Sequence, residues 1–591
     1  MADTTRAFES TNADARVTVL ESENASLRGE LAQARDALVR LRARYYQMLE
    51  ELHLLKRRLH VAKAERLEDI ESAQLAFDQL AAETSALAKV LGDADVAGEN
   101  GEGSPPPNKK TRKASTTKPT GRRKLSDYDL PEVRVEIPDP ELEGVFERMG
   151  FDESSRVGYE RGGHRRIVTA RVVYKDGMKQ KLREGAEVTG RSWAARTEPR
   201  VDIRVAPMPK EIVPGGILAP SMIAHVLAMK YVLGVPFHRY EQQTAREGFK
   251  IDRSIMCRYA EHVGATFGCV VEAARKEAIA TAFCLATDAT GVAVQPTRLE
   301  GKRQACKKGH FFVTLADKDH VFLDFQPRHT SLTAWEMFKG FHGYVQADAH
   351  AIYDALFKGL PPDGAAEEPG ACGLPPIEVG CFSHARRKYW EAAVCKHPLG
   401  VEGVRRIDAI FEADRALAEL APAQRTLRRD ADVRPVVDAF FVWAAGQKAK
   451  LEGRSLLATA LGYSLRHEAA LRRFLEDGRL RMDNNAAERA LRPIAVGRKA
   501  WMFYGSDDHA SAAGNVLSLV ASCKVHDLDP EPYFCDIIKV IPYWPRDRYL
   551  ELAPKYWRAT RARLVPMEIE RELGPITIPP PLTAQQKTPT N

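Results

Sequence analysis

At 591 residues the chain is too long for a single hydrophobic core, and about three to five structural units are expected. Its composition, 44% hydrophobic and 28% charged with a formal net charge of +7, is that of an ordinary soluble protein; it permits nucleic-acid binding without demanding it. No apolar run reaches the roughly 18 residues of a membrane span, and the opening MADTTRAFESTNADARV lacks an apolar signal core, so a membrane or secreted protein is not expected.

The first element is a heptad pattern in which Val17, Leu20, Asn24, Leu27, Leu31, Ala34, Leu38, Leu41, Tyr45, Met48, Leu52, Leu55 and Leu59 recur in steps of three and four. This seam predicts a coiled coil over residues 1–92 and hence a homo-oligomer, at least a dimer, with Asn24 favouring a paired register. The competing reading is an amphipathic helix packed on its own chain. Residues 93–127 lose all periodicity and carry eight basic residues from Lys109 to Lys124 among Gly, Ser and Pro: a flexible basic linker, equally readable as a spacer or as an arm on phosphates.

Residues 128–210 read as β-rich, with strands at RRIVTARVVYKDG and VDIRVAPMP. From 211 to 282 the pattern is helical. Three short helices are expected over 219–264, with a break at Gly234 and Pro236, a turn at Gly248 and an N-cap at Asp252, and another helix follows near 265–282. Two helices joined by a short glycine-bearing turn have the form of a helix-turn-helix, whose second helix would expose Arg253, Ser254 and Arg258 to DNA; plain scaffold is the alternative.

Next, FCLATDATGVAVQP places Asp288 inside an apolar strand, where a carboxylate is costly without a partner or metal. Two strands follow in GHFFVTLADKDHVFLDFQP, whose Asp317, Asp319 and Asp324 read as a solvated turn or face. A helix at TAWEMFKGF and a strand ending at Asp348 come next, then a fifth strand at PIEVGCF and the basic stretch SHARRKYW. Three strands, a helix and a strand, with acids on the first and fourth strands, form the first half of a ribonuclease-H-like fold (283–384). Carboxylates on adjacent strand ends can bridge two divalent cations about 4 Å apart. An all-helical insertion (385–480) precedes the second part of the core (481–545) and a C-terminal tail (546–591). In DNNAAERALRP, Asp483 or Asn484 can cap a helix carrying Glu488, the natural third ligand. Arg489, Arg492, Arg498 and Lys499 on the same helix would either hold phosphates or neutralise the acids. The run Trp501, Phe503 and Tyr504 reads as core rather than a base-stacking platform. The fold class is thus multidomain α+β.

The nine cysteines are Cys257, Cys269, Cys284, Cys306, Cys372, Cys381, Cys395, Cys523 and Cys535, with no CxxC pair, as expected of reduced thiols in a cytosol.

The segments LATDATG, YVQADAHAIYDAL, CFSHARRKYWEA, DNNAAERALRPIAVGRKAWMFYGS and PGGILAPSMIAHVLAMKYVLGVPFHRYEQ resemble the insertion-sequence-66 family of bacterial transposases, continuously over roughly 210–545. The resemblance implies a transposase of the Asp-Asp-Glu (DDE) type with Asp288, Asp348 and Glu488 as catalytic, metal-holding acids. It also implies a CxxH feature followed by basic residues, here Cys381, His384, Arg386 and Arg387; Cys381 and His384 are too few ligands for a structural metal, so an ordering or DNA-contact role is the reading. Family members carry a zinc ribbon ahead of the helix-turn-helix, but residues 128–210 hold no cysteine, so zinc is not expected. The implied partners are double-stranded DNA (element ends and target) and small companion proteins of the element, in a cytoplasmic, nucleoid-associated setting. The implied cofactor is two Mg2+ ions, with Mn2+ as substitute, since a carboxylate site is hard and oxygen-rich. The rival classes are a non-catalytic DNA-binding regulator and a stand-alone nuclease.

Overall fold

The computed structural model describes residues 23–52, short stretches between 80 and 87, and residues 130–175, 203–296, 305–365, 374–583 and 586, with single gaps at 43, 50, 161, 364 and 452. The basic linker, both ends of the heptad pattern and Cys372 lie outside the described residues. Contacts divide the chain into two compact units. One comprises residues 1–115 with Phe382–Met482, the other Thr116–Cys381 with Asp483–Asn591.

The second unit begins with a four-stranded sheet. Strand β1 (Glu132–Ile137) runs parallel to β3 (Gly163–Lys175), while β2 (Glu147–Glu160) and β4 (Ile203–Val205) flank β3 antiparallel. Its own small core is Ile137, Leu142, Val172, Tyr174 and Ala206. Val157 on β2 reaches further: its backbone exchanges hydrogen bonds with Ile217 and Ala219, which fastens the sheet to the main core.

Helix α1 (Pro220–Tyr231) ends near Gly234, which adopts φ +74°, and α2 (Phe237–Arg246) turns at Gly248, φ +93°. Only glycine takes such left-handed angles at no steric cost. Asp252 then caps α3 (Arg253–Thr281), accepting from the Ser254 amide at 2.7 Å. The separate third helix and the following helix expected from sequence are one helix of 29 residues. Gly264 and Gly268 do not break it, because they are contact points for the later segment that carries Ala512 and Asn515.

The central sheet has the order β7-β6-β5-β8-β9. Strands β5 (Cys284–Val294), β6 (Lys307–Ala316) and β7 (His320–Gln326) are antiparallel neighbours. Helix α4 (Ser331–Phe338) leads to β8 (Tyr344–Gln346), which is parallel to β5; a 3-10 turn, α5 (Asp354–Lys358) and β9 (Ile377–Val379), parallel to β8, follow.

The chain then enters the helical unit: α6 (Phe382–Val394), α7 (Pro398–Arg415), α8 (Pro422–Arg428), a π-helical segment (Arg429–Val433), α9 (Arg434–Lys448), α10 (Leu456–Arg466) and α11 (Glu468–Arg472). Its two ends meet where the Phe382 amide donates to the Met482 carbonyl at 3.0 Å. The N-terminal helix, residues 23–42 and 44–49, belongs to the same unit. Its seam divides. Leu27, Leu31 and Leu38 stand exposed, whereas Tyr45 is buried with Cys395 and with Leu49, which lies off the seam, and the Tyr46 ring lies 4.8 Å from His397.

Back in the second unit, α12 (Asn485–Trp501) is followed by α13 (Asp507–Val525), α14 (Pro530–Val540) and α15 (Pro554–Arg561). Helix α13 lies between the sheet and α3. A Cβ at Gly514 would sit 2.4 Å from the Leu323 carbonyl, and one at Gly264 would sit 2.5 Å from that of Ala512. The serines of α13 also close the free edge of β7: the Val321 amide donates to Ser522 at 3.0 Å and the Leu323 amide to Ser518 at 2.8 Å. Four residues apart on a helix, these hydroxyls meet alternate amides of an edge strand that would otherwise be a template for aggregation. Residues 546–582, read from the sequence as a tail, instead supply Leu552, Tyr556, Trp557, Leu564, Ile569 and Leu582 to the main core. Among the described residues no helix is long and apolar enough to cross a membrane.

Gly264→Ala should therefore force α3 and α13 apart against backbone, at about 1–3 kcal/mol of stability. Gly446→Ala, in open space on α9, should instead stabilise by about 0.5–1 kcal/mol. Thermal unfolding of both variants checks this; an unchanged midpoint for Gly264→Ala would refute the close crossing.

Candidate active site

Strand β5 positions the first acid. Asp288 sits opposite Val313 of β6, half-buried, with its Oδ1 accepting from the Ala289 amide at 2.8 Å. On the other side β5 pairs with β8 as Cys284↔Tyr344, Leu285↔Val345 and Ala286↔Gln346, a constant offset of 60. Asp288 and Asp348 each stand two residues beyond the last paired position, Ala286↔Gln346, so both acids follow the parallel stretch of adjacent strands. Asp348 is half-buried and accepts from the His350 amide at 3.1 Å; Ala349 between them is held at φ +55°. A non-glycine residue there marks local strain of the kind found at functional sites.

The third acid arrives through Asn484. That residue stands at the N-cap of α12, but its side chain does not cap; Asp483 does so by accepting from the Asn485 amide at 3.1 Å. Asn484 is buried and turns inward, donating from Nδ2 to the Thr287 carbonyl at 2.7 Å, while its own amide donates to Cys381 Sγ at 3.2 Å. Glu488, half-buried, lies one turn further along α12. Tyr353, just after Asp348, approaches the same point, its hydroxyl 3.5 Å from Thr287 Oγ1. Thus Thr287, the residue before Asp288, is the knot where the segments bearing all three acids meet.

Electrostatics agree with this placement. Burial pushes the Tyr353 phenol above its ordinary range, and the Asp348 and Asp288 carboxylates push it the same way, so it stays protonated as a donor. Beside Asp348 the His329 ring stacks 5.3 Å from Phe312 and lies 5.1 Å from His310 and 4.8 Å from His350. Burial first, then the neighbouring His350 and His310, lower the His329 pKa and favour a neutral imidazole.

Among the described residues, no three His, Cys, Asp or Glu side chains come together as a group that could hold a metal ion, so Asp288, Asp348 and Glu488 do not form such a group here. The donors still fit a divalent cation in kind. Asp288 and Asp348 offer hard oxygens from adjacent strands, and Asn484 Oδ1 is buried beside Thr287 without a hydrogen-bond partner, an oxygen suited to a bound cation or water.

The remaining candidates are placed as follows. Arg253, Ser254 and Arg258 are exposed at the start of α3. Arg489, Arg492, Arg498 and Lys499 are exposed on α12, and Arg498 donates to the Gly291 carbonyl at 2.9 Å and to Thr290 Oγ1 at 3.2 Å. His384, Arg386 and Arg387 belong to the helical unit; Arg387 is exposed, but Arg386 is engaged in a two-pronged ion pair with Asp408, at 2.6 and 3.0 Å. Cys381 serves order by receiving the Asn484 amide. Asp324 is not on a solvated face: it is paired with Arg275 of α3. Asp317 accepts from the Phe283 and Cys284 amides and so fixes the start of β5, and Asp319 pairs with Lys555 at 2.8 Å. Of the aromatic run, Tyr504 is core, whereas Phe503 is 43% exposed.

Sequence reasoning missed Asn484 as a buried tie, together with Tyr353 and the histidines around His329. The available signal for Asn484 was the doubled asparagine in DNNAAER, since one cap needs only one such side chain.

Comparison with known proteins gives two family matches. Residues 215–512 match the family described as Transposase IS66 family, and residues 518–554 match the IS66 C-terminal element. Similar curated proteins include the uncharacterised proteins y4qI and y4hP of Sinorhizobium fredii (strain NBRC 101917 / NGR234). The chain is 25% identical to y4qI over 91% of its own length and 95% of that protein's. It is 27% identical to y4hP over 61% of its own length and 66% of that protein's, slightly under two thirds.

Proposed function

The chain belongs to the IS66 family of transposases, and on that premise we propose that it is a DDE-type enzyme that cleaves the ends of an insertion sequence and joins the 3′ ends to target DNA. The observation that carries the proposal is the meeting at Thr287 of the segments bearing Asp288, Asp348 and Glu488. The sheet order, with three antiparallel strands followed by two parallel to the first, supports a ribonuclease-H-like core.

Asp288 and Asp348 would hold Mg2+, or Mn2+ in its place, with Glu488 as the third carboxylate and without zinc. When bound, such ions polarise the attacking water or 3′-hydroxyl and offset charge on the leaving oxygen. The chain's own groups do the rest. Asn484 anchors the helix that carries Glu488, so that this acid is aimed by a buried hydrogen bond and not by a mobile loop. The protonated Tyr353 hydroxyl and Thr287 steady the stretch of β5 on which Asp288 sits. Exposed Arg489, Arg492 and Lys499 offer cations to the DNA backbone.

We assign DNA-end recognition to the α2–α3 pair as a helix-turn-helix, with Arg253, Ser254 and Arg258 at the reading end, and homodimerisation to the exposed seam around Leu27, Leu31 and Leu38. Companion proteins of the element remain part of the proposal.

The test is strand transfer. Duplexes carrying the terminal inverted repeats that flank the gene should be nicked and joined to plasmid DNA only when Mg2+ or Mn2+ is present. Specific binding without joining under both ions would replace the proposal with a DNA-binding regulator. In the same assay, Arg253→Ala with Arg258→Ala should weaken binding to end duplexes more than to random duplex, by about 1–3 kcal/mol per lost base contact. A uniform loss would reduce these residues to phosphate contacts.

A further inference from the structure

Helix α12 does not end in an ordinary cap. The Phe503 amide donates to the Trp501 carbonyl at 2.8 Å, and Met502 between them has φ +64° and ψ −42°. This is a γ-turn of the rare, strained hand, in a conformation that glycine would take far more readily. Both flanks hold it in place. Before it, the Trp501 ring packs where a Cβ on Gly497 would otherwise sit. After it, Tyr504 is buried and bonded on both sides of the β5 end: its amide donates to Ala293 at 2.9 Å and its carbonyl accepts from Gln295 at 2.8 Å. The turn between these anchors projects two adjacent apolar side chains, Met502 at 69% and Phe503 at 43% exposure.

Both side chains leave the core, and the backbone between them is strained. Its surroundings indicate what it meets. Met502 lines an open groove with Lys307, Lys308 and Arg498 along Gly291–Ala293 of β5. Lys307 is shared with Asp507 at 2.6 Å, while Lys308 and Arg498 are exposed. The groove is therefore basic, and it continues the strand that carries Asp288.

We propose that Met502 and Phe503 form a wedge that enters a base step of the DNA held in this groove and unstacks it near the scissile phosphate. This rests on the DNA-transposase reading above. Apolar side chains presented beside cations are the means by which proteins part stacked bases: the cations hold the phosphates, and the wedge replaces a base–base contact with a side-chain contact. The strained turn makes the wedge stiff, since anchored flanks leave Met502 little freedom to fold back. Distance sets the position. The groove lies along Gly291–Ala293, three to five residues beyond Asp288, about 10–17 Å at the rise of a strand, and with a rise of about 3.4 Å per nucleotide that is about three to five base steps from the reacting phosphate.

The experiment uses the full-length protein and short nicked duplexes in which 2-aminopurine replaces a single base at successive positions from the nick. Binding is followed by anisotropy of an end label, and unstacking by 2-aminopurine fluorescence at saturating protein. The wild type should raise the fluorescence at least about twofold at one or two adjacent positions between about the third and fifth nucleotide, and nowhere else. Met502→Ala with Phe503→Ala should abolish the rise and weaken binding by about tenfold. Phe503→Leu, still apolar, should retain it. An equal rise in the double variant would overturn the wedge. So would saturable wild-type binding with no rise at any position, an outcome that leaves the DNA reading intact. Absence of any wild-type binding would overturn the DNA reading itself and the wedge with it.

Discussion

Asp288→Asn, Asp348→Asn and Glu488→Gln should each lower strand transfer by about a thousandfold or more while leaving fold and end-binding in place. The amides match the acids in size, so the packing around β5, β8 and α12 persists, but they lack the charge that holds a divalent ion. Because the three act as one unit, the triple variant should be hardly worse than any single one. Asp354→Asn, an exposed acid on α5 close in sequence to Asp348, should be nearly silent. Asn484→Ala gives a graded control: it spares the carboxylates but cuts the tie from α12 to Thr287, and a loss of about 10–100-fold, with weaker apparent Mg2+ affinity, is expected of a supporting residue. An Asp348→Asn protein that joins ends at near-normal rate would show that Asp348 is not the second metal-holding acid.

Arg429→Met should destabilise the helical unit by about 3–5 kcal/mol, a large share of a domain's usual margin of about 5–15 kcal/mol. Arg429 is completely buried at the head of the π-helical segment. It holds Asp414 at 2.7 Å and 3.3 Å, and donates to the carbonyls of Phe474 (2.6 Å), Asp477 (2.8 Å) and Leu480 (3.0 Å). Removing it leaves Asp414 with Arg425 as its remaining ion-pair partner and takes the charged donor away from three carbonyls. The cost comes from stranding the partners rather than from the net worth of the pair. Adding Asp414→Leu to Arg429→Met should therefore recover much of the loss. Urea unfolding with proteolysis inside 382–482 measures both. A single variant that unfolds at the wild-type midpoint would remove Arg429 from any structural role.

How much of this was legible in the sequence follows from the range of the interactions. Asp252 as a cap, the Gly234 and Gly248 turns, the order of strands and helices around Asp288 and Asp348, and the motif DNNAAER were all readable. Each is written within one short window, where periodicity, caps and turn chemistry act on adjacent residues. What crossed longer distances was decided by the tertiary structure. The parallel pairing of β5 with β8, which ends two residues short of Asp288 and Asp348, is a register, and register depends on which faces are buried together. Asn484 reads locally as a cap and becomes a buried tie because a strand nearly two hundred residues earlier offers it a carbonyl. The sequence reads as one helix ending near 264 and another near 265–282, whereas α3 runs unbroken and its Gly264 and Gly268 form the contact face for α13. The heptad seam runs along the whole helix in sequence, yet the structure buries Tyr45 of it, together with the off-seam Leu49, and leaves Leu27, Leu31 and Leu38 exposed, because helix periodicity specifies an apolar face and only packing selects what covers it.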